Sequence, residues 1–98
     1  MNTIPERWTL VRVSPDMVKV MAAWSGGYLH GDSWKMNSGI ESIEETDESY
    51  IFTGHSGSTY ECRKGSYGIN PYGAAVLAGA DLQPMSEESA LKYIKEQL

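Results

Sequence analysis

Nine of the ten glycines in this chain lie between Trp24 and Gly73, interleaved with Trp24, Tyr28, Trp34, Tyr50, Tyr60, Tyr67 and Tyr72. Glycine lets a backbone turn, bulge or approach another surface closely, and aromatic rings give large contact area at small entropic cost. The middle of the chain therefore reads as extended segments joined by turns. Its rings either fill a core or present a recognition surface, and both readings stay open at this level.

Trp8 to Val13 is short, β-branched and reads as a strand. Ser14-Pro15-Asp16 then punctuates the chain. Ser14 as an N-cap with Pro15 behind it could open a helix running to Trp24. The alternation of Val18, Val20 and Ala22 favours a second strand instead. Ser25 to Ser33 is expected to be a loop. Trp34 to Glu45 and Ser49 to Arg63 read as two longer strands, joined by a short polar connection of the kind a hairpin needs. Ile40 and Ile43 differ in parity, so a flat strand cannot send both to one face. A bulge near Ser42 would reconcile them. Gly54 and Gly57 suggest a second irregularity.

After Gly65 the pattern changes. Tyr72 to Ala80 is Ala-rich and expected to be a short helix, with Pro84 blocking its continuation. Ser86 is a good N-cap for a second helix, and Glu87 and Glu88 meet the positive end of its dipole. Met85 and Ala90 stand at hydrophobic-staple positions. Ala90, Leu91, Tyr93, Ile94 and Leu98 form an apolar stripe. The expected fold is α+β, a small antiparallel sheet of about four strands followed by two C-terminal helices packed on one side. Residues 1–98 read as a single domain.

The net charge of −5 opposes direct binding to a phosphate backbone. Among the scattered cations only Arg63 and Lys64 are adjacent. Cys62, the single cysteine, cannot form an intrachain disulfide. No stretch approaches the ~20 apolar residues that span a bilayer, and the start lacks a signal-peptide pattern. A reduced, cytoplasmic setting is the natural expectation.

Gly54-His55-Ser56-Gly57-Ser58 invites comparison with the G-x-S-x-G nucleophile elbow. Ser58 replaces the last glycine, and the other histidine, His30, comes earlier rather than later in the chain. A tight turn is the better reading. Its free N–H groups could cradle an anion, with Arg63 or Lys64 supplying charge, so Ser56, Gly57, Ser58, Arg63 and Lys64 make a candidate ligand site of nucleotide type. His30, Asp32, His55 and Cys62 lack the paired spacing of a structural zinc site, so neither metal nor cofactor is expected. Arg63 and Lys64 could activate Cys62 as a thiolate, although a buried core cysteine fits better. Glu41, Glu44, Glu45, Asp47 and Glu48 gather five of the thirteen acids into eight residues. Such a run either guards a sheet edge or docks onto a basic surface.

Trp24-Ser25-Gly26-Gly27-Tyr28, Gly31-Asp32-Ser33-Trp34 and Ser56-Gly57-Ser58-Thr59-Tyr60 resemble short uncharacterised bacterial and prophage proteins, a likeness that carries no established activity. In size and acidity the chain is also similar to phage-encoded inhibitors of bacterial immunity such as anti-CRISPR proteins. That second likeness covers no motif and transfers no residue. The expectation is a non-catalytic protein-interaction module, an inhibitor or adaptor, acting as a homo-oligomer or docked on another protein. Its expected contacts are Trp24, Tyr28, Trp34, Tyr50 and Tyr60, with Glu44, Glu45, Asp47 and Glu48 at the rim. The alternative is a small-ligand binder whose pocket is shared across a homodimer.

Overall fold

The computed structural model describes residues 2–25, 31 and 33–98. Its elements follow in the order β1 (Asn2–Thr3), β2 (Arg7–Ser14), β3 (Met17–Trp24), β4 (Ser33–Met36), β5 (Ile40–Glu45), β6 (Ser49–Gly54), β7 (Thr59–Arg63), α1 (Pro71–Gly79) and α2 (Glu87–Gln97). The strands divide between two sheets. One runs β1-β7-β6-β5 and the other β2-β3-β4, and all pairings are antiparallel except β1 with β7. The fold is α+β with both helices toward the C-terminus, as the sequence indicates.

The segment after Pro15 is strand, not helix. Val18, Val20 and Ala22 alternate into one buried cluster with Trp8 and Leu10 from β2 and Tyr50, Phe52, Tyr60 and Cys62 from the larger sheet. Trp8 is its centre. Its ring meets Tyr67 edge-on at 4.8 Å, Phe52 at 5.6 Å and Tyr50 at 6.2 Å between centroids. Each such pair adds about 0.5–1.5 kcal/mol beyond area burial. The indole N–H donates to the Arg63 carbonyl at 2.7 Å, so this large ring is buried without an orphaned donor.

Trp34 to Glu45, expected as one strand, is two strands in different sheets. Asn37 causes the break. Its Oδ1 accepts from the Val20 N–H at 2.8 Å and the Gly39 N–H at 3.4 Å, and its Nδ2 donates to the Gly39 carbonyl at 3.3 Å. The side chain thus replaces backbone partners while the chain crosses from one sheet to the other. Gly39 sits at φ 120°, and a Cβ there would lie 2.7 Å from His55 Cδ2. Ser49 to Arg63 is likewise a hairpin rather than one strand, turning at Gly57 with φ 90°. The bulge between Ile40 and Ser42 is where the parity argument puts it, and it brings Ile40 and Ile43 onto the same cluster.

Both faces of β2 and β3 are covered. Val11 and Met21 point away from the first cluster and pack with Leu77 of α1, joined by Met36, Val76 and Leu82. Ala90 and Ile94 of α2 instead enter the cluster between the sheets. The helices therefore lie on opposite faces of the three-stranded sheet, which corrects the one-sided packing expected. Two-sided burial of β2 and β3 demands a cover for each face.

The caps explain why each helix starts and stops where it does. Asn70 accepts from the Gly73 N–H at 2.7 Å and Pro71 occupies the first turn of α1. At its far end Leu82 donates to the Leu77 carbonyl at 2.8 Å and Asp81 to the Ala78 carbonyl at 3.0 Å, with Asp81 at φ 59°. These are the paired bonds of a Schellman motif, and Leu77 and Leu82 supply its apolar contact. For α2, Ser86 accepts from the Ser89 N–H at 3.1 Å. Met85 packs against the cluster that holds Ala90, completing the staple.

Candidate functional site

Pro71 to Ala80 contains no polar side-chain group except the Tyr72 hydroxyl. A helix that is apolar all round is ordinarily enclosed on every side. Here only Gly73 and Leu77 are buried and Val76 half-buried, while Pro71, Tyr72, Ala74, Ala75, Ala78, Gly79 and Ala80 are exposed. At about 3.6 residues per turn, Ala75 and Ala78 project from the side opposite Gly73 and Leu77. The surface they form is smooth, uncharged and flanked by the Tyr72 ring, which is 43 % exposed.

Trp34 extends this surface onto β4. Met36 pairs with Met21 and Trp34 with Ala23, and residues directly opposite in an antiparallel pair share a face, as do residues two apart in a strand. Trp34 therefore stands on the α1 side of the three-stranded sheet, with 42 % of its surface open. A half-exposed indole on an outer strand is a large apolar group left in water. Together with Tyr72 it gives the face two aromatic anchors of the type that dominates protein interfaces.

The other expected contact residues are dispersed. Tyr50 and Tyr60 are core residues, 7 % and 1 % exposed, because β6 and β7 send them inward against Trp8 and Phe52. This removes both from any contact surface. Burial also raises the Tyr60 hydroxyl pKa, with a smaller contribution from Cys62. Trp24 is half-buried against the first cluster, with its indole N–H donating to the Ile4 carbonyl at 3.3 Å. Tyr28, His30 and Asp32, and most of the loop expected around them, lie outside the described residues.

Glu44, Glu45, Asp47 and Glu48 are all exposed at the outer strand of the larger sheet. Thr46 closes their turn, its hydroxyl accepting from the Ser49 N–H at 3.0 Å and donating to the Ser49 carbonyl at 3.2 Å. Glu45 pairs with Lys64 at 2.7 Å, and the ammonium lies 5.2 Å from the Tyr50 ring centroid. The hydrogen bond to Glu45 raises the Lys64 pKa above its usual value. Lys64 is thus held to the hairpin.

The candidate ligand site does not assemble. The Ser56 N–H donates to Ser38 Oγ at 3.0 Å and the Gly57 N–H to the Gly54 carbonyl at 2.9 Å, so these two donors of the expected anion cradle are already occupied. Arg63 ends the strand that Thr59 begins, which separates it from Ser58 by about 17 Å at ~3.4 Å per residue. Cys62 is fully buried, and desolvation, reinforced by Glu61, pushes its thiol pKa far above the ordinary range. Arg63 and Lys64 do not activate it. Among the described residues no group of three His, Cys, Asp or Glu side chains could hold a metal ion, and no helix is long and apolar enough to cross a membrane.

The contribution of α1 was missed at the level of sequence, where Tyr72 to Ala80 reads only as a short Ala-rich helix. The available signal was the lack of any polar stripe in that segment, a pattern that leaves no side of the helix suited to water. No protein-family model matches this chain, and no curated protein or solved structure shows significant similarity to it.

Proposed function

We propose that this chain is a non-catalytic protein-interaction module, an inhibitor or adaptor, whose contact face is the outward side of α1 together with Trp34. The observation that carries this reading is the exposure of seven of the ten residues 71–80 on a helix with no polar face. Leaving such a surface in water forfeits about 25 cal/mol for every Å² that a partner would cover. Trp34 and Tyr72 supply the anchors, and the small side chains between them let a partner backbone approach closely. The acidic hairpin, on the other sheet, contributes none of this contact area.

The test is affinity capture with the tagged wild-type chain and a Trp34→Ala/Tyr72→Ala double variant, each checked by thermal unfolding. The reading predicts that the variant melts like the wild type and loses the captured partner. Equal capture by both chains would remove the α1 face as the contact surface.

A further inference from the structure

We infer that the open edge of β4 takes up an extended, acidic segment of the partner as an added strand. This rests on reading Trp34 as a contact residue and adds the chemical class of what it meets. The Asn37 N–H donates to the Val20 carbonyl at 3.0 Å. From that pair the register runs on through Met36↔Met21, Lys35↔Ala22 and Trp34↔Ala23. Hydrogen-bonded and non-hydrogen-bonded pairs alternate along an antiparallel ladder. Lys35 therefore bonds to β3, whereas Trp34 and Met36 turn their N–H and C=O groups away from it. β4 is the last strand of its sheet, and no described strand pairs with that side. The opposite edge of the same sheet is closed, since the Gly68 N–H donates to the Trp8 carbonyl and the Met85 N–H to the Leu10 carbonyl. Alternating donors and acceptors along an edge are matched by an extended backbone, whereas a helix spends its own backbone groups internally.

Side chains decide which extended segment fits. Trp34 and Met36 share the α1 side of the sheet, so alternate residues of an added strand lie on that side, against them. Lys35, opposite Ala22, projects to the other side, is exposed and is the only charged residue of β4. A lysine on a sheet edge deters uncharged strands and favours one that sets a carboxylate across from it. A second copy of β4 has no carboxylate to offer, so pairing two copies leaves the ammonium unmatched. The segment selected is therefore apolar at alternate positions, with aspartate or glutamate between them. Ser33–Met36 gives about 14 Å of edge at ~3.4 Å per residue, so binding is of the weak class with Trp34 as its anchor.

An NMR titration of the nitrogen-15-labelled full chain tests this. The probe is a synthetic hexapeptide alternating valine and glutamate, added to about 1 mM, the weak end of measurable affinity. Its controls are the lysine counterpart and a form N-methylated on its valines, whose N–H groups would face Trp34 and Met36. The amides of Trp34 and Met36 are expected to shift with the glutamate peptide, and both controls are expected to bind at least tenfold more weakly. That order is opposite to what the net charge of −5 alone would give. Lys35→Glu is expected to invert it, so that the lysine peptide binds the variant more tightly. Lys35→Ala, which decides if the reversed variant fails to fold, should lose the preference for glutamate. No shift at Trp34 and Met36 across the titration, equal binding of the N-methylated form, or an order unchanged by both Lys35 variants would overturn the inference. If β4 stays silent while Trp34→Ala/Tyr72→Ala still loses the captured partner, the contact face stands and only the added strand is removed.

Discussion

Two buried side chains show how single atoms set the stability of this molecule. The Thr9 hydroxyl is buried on the face of β2 that also carries Val11, and it has no hydrogen-bond partner among the described residues. An unsatisfied buried hydroxyl costs about 1–3 kcal/mol. Thr9→Val, which replaces the hydroxyl by a methyl group of similar size, is expected to stabilise the fold by about 1 kcal/mol, read from urea midpoints. Cys62 acts through pH. Its folded-state pKa is raised, so the unfolded chain loses the thiol proton first, near pH 9.0. Stability is therefore full below that pH and falls above it, by up to about 1.4 kcal/mol per pH unit. The raised Tyr60 and Tyr67 hydroxyls, whose ordinary value is 10.0, add to the loss above pH 10. Cys62→Ala should be less stable at pH 7 because of the cavity, yet show a flatter stability profile between about pH 9 and 10 than the wild type. Parallel slopes in that window would show that the thiol is not the titrating group.

At the scale of elements, the decisive device is the crossing from β4 to β5. Gly39 holds a left-handed backbone against the His55 ring, so Gly39→Ala introduces both strain and a clash. The expected loss is more than about 2 kcal/mol. Adding His55→Ala should restore the part due to the clash and leave the part due to φ, a coupling that a double-mutant cycle measures. Full restoration would mean that the backbone conformation at residue 39 costs nothing. The same elements show what the sequence makes legible. The bulge beside Ser42, the Thr46–Ser49 turn and the Ser86 cap are set by neighbours within a few residues, and their chemistry can be read locally. The break at Asn37 cannot, because its partner is the Val20 N–H on another strand. Helix placement fails for a related reason. Each helix is capped by its own sequence, but which sheet face it covers depends on the two-sided burial of β2 and β3.

For the molecule as a whole, a set of local choices leaves one surface without a polar covering. The aromatic-glycine pattern indicates where rings concentrate but not which way they point. Tyr50 and Tyr60 are consumed by the core around Trp8, whereas Trp34 and Tyr72 remain outside. The connector between β7 and α2 shows how closely the rest is tied down. Tyr67 accepts from the Leu10 N–H at 3.2 Å and donates to the Met85 carbonyl at 2.6 Å, while the Gly68 N–H donates to the Trp8 carbonyl at 2.8 Å. The outer edge of β2 is thereby covered, which blunts one site of unwanted strand pairing.

Whether α1 and Trp34 form the contact face is read by hydroxyl-radical footprinting of the chain in its assembled state and after dilution to the free state. Leu98, 54 % exposed at the end of α2 on the opposite face of the three-stranded sheet, provides an internal control. Oxidation at Trp34 and Tyr72 is expected to drop several-fold on assembly, with Leu98 unchanged. Protection confined to Tyr50 and the Glu44–Glu48 hairpin, with Trp34 and Tyr72 oxidised equally in both states, would contradict it.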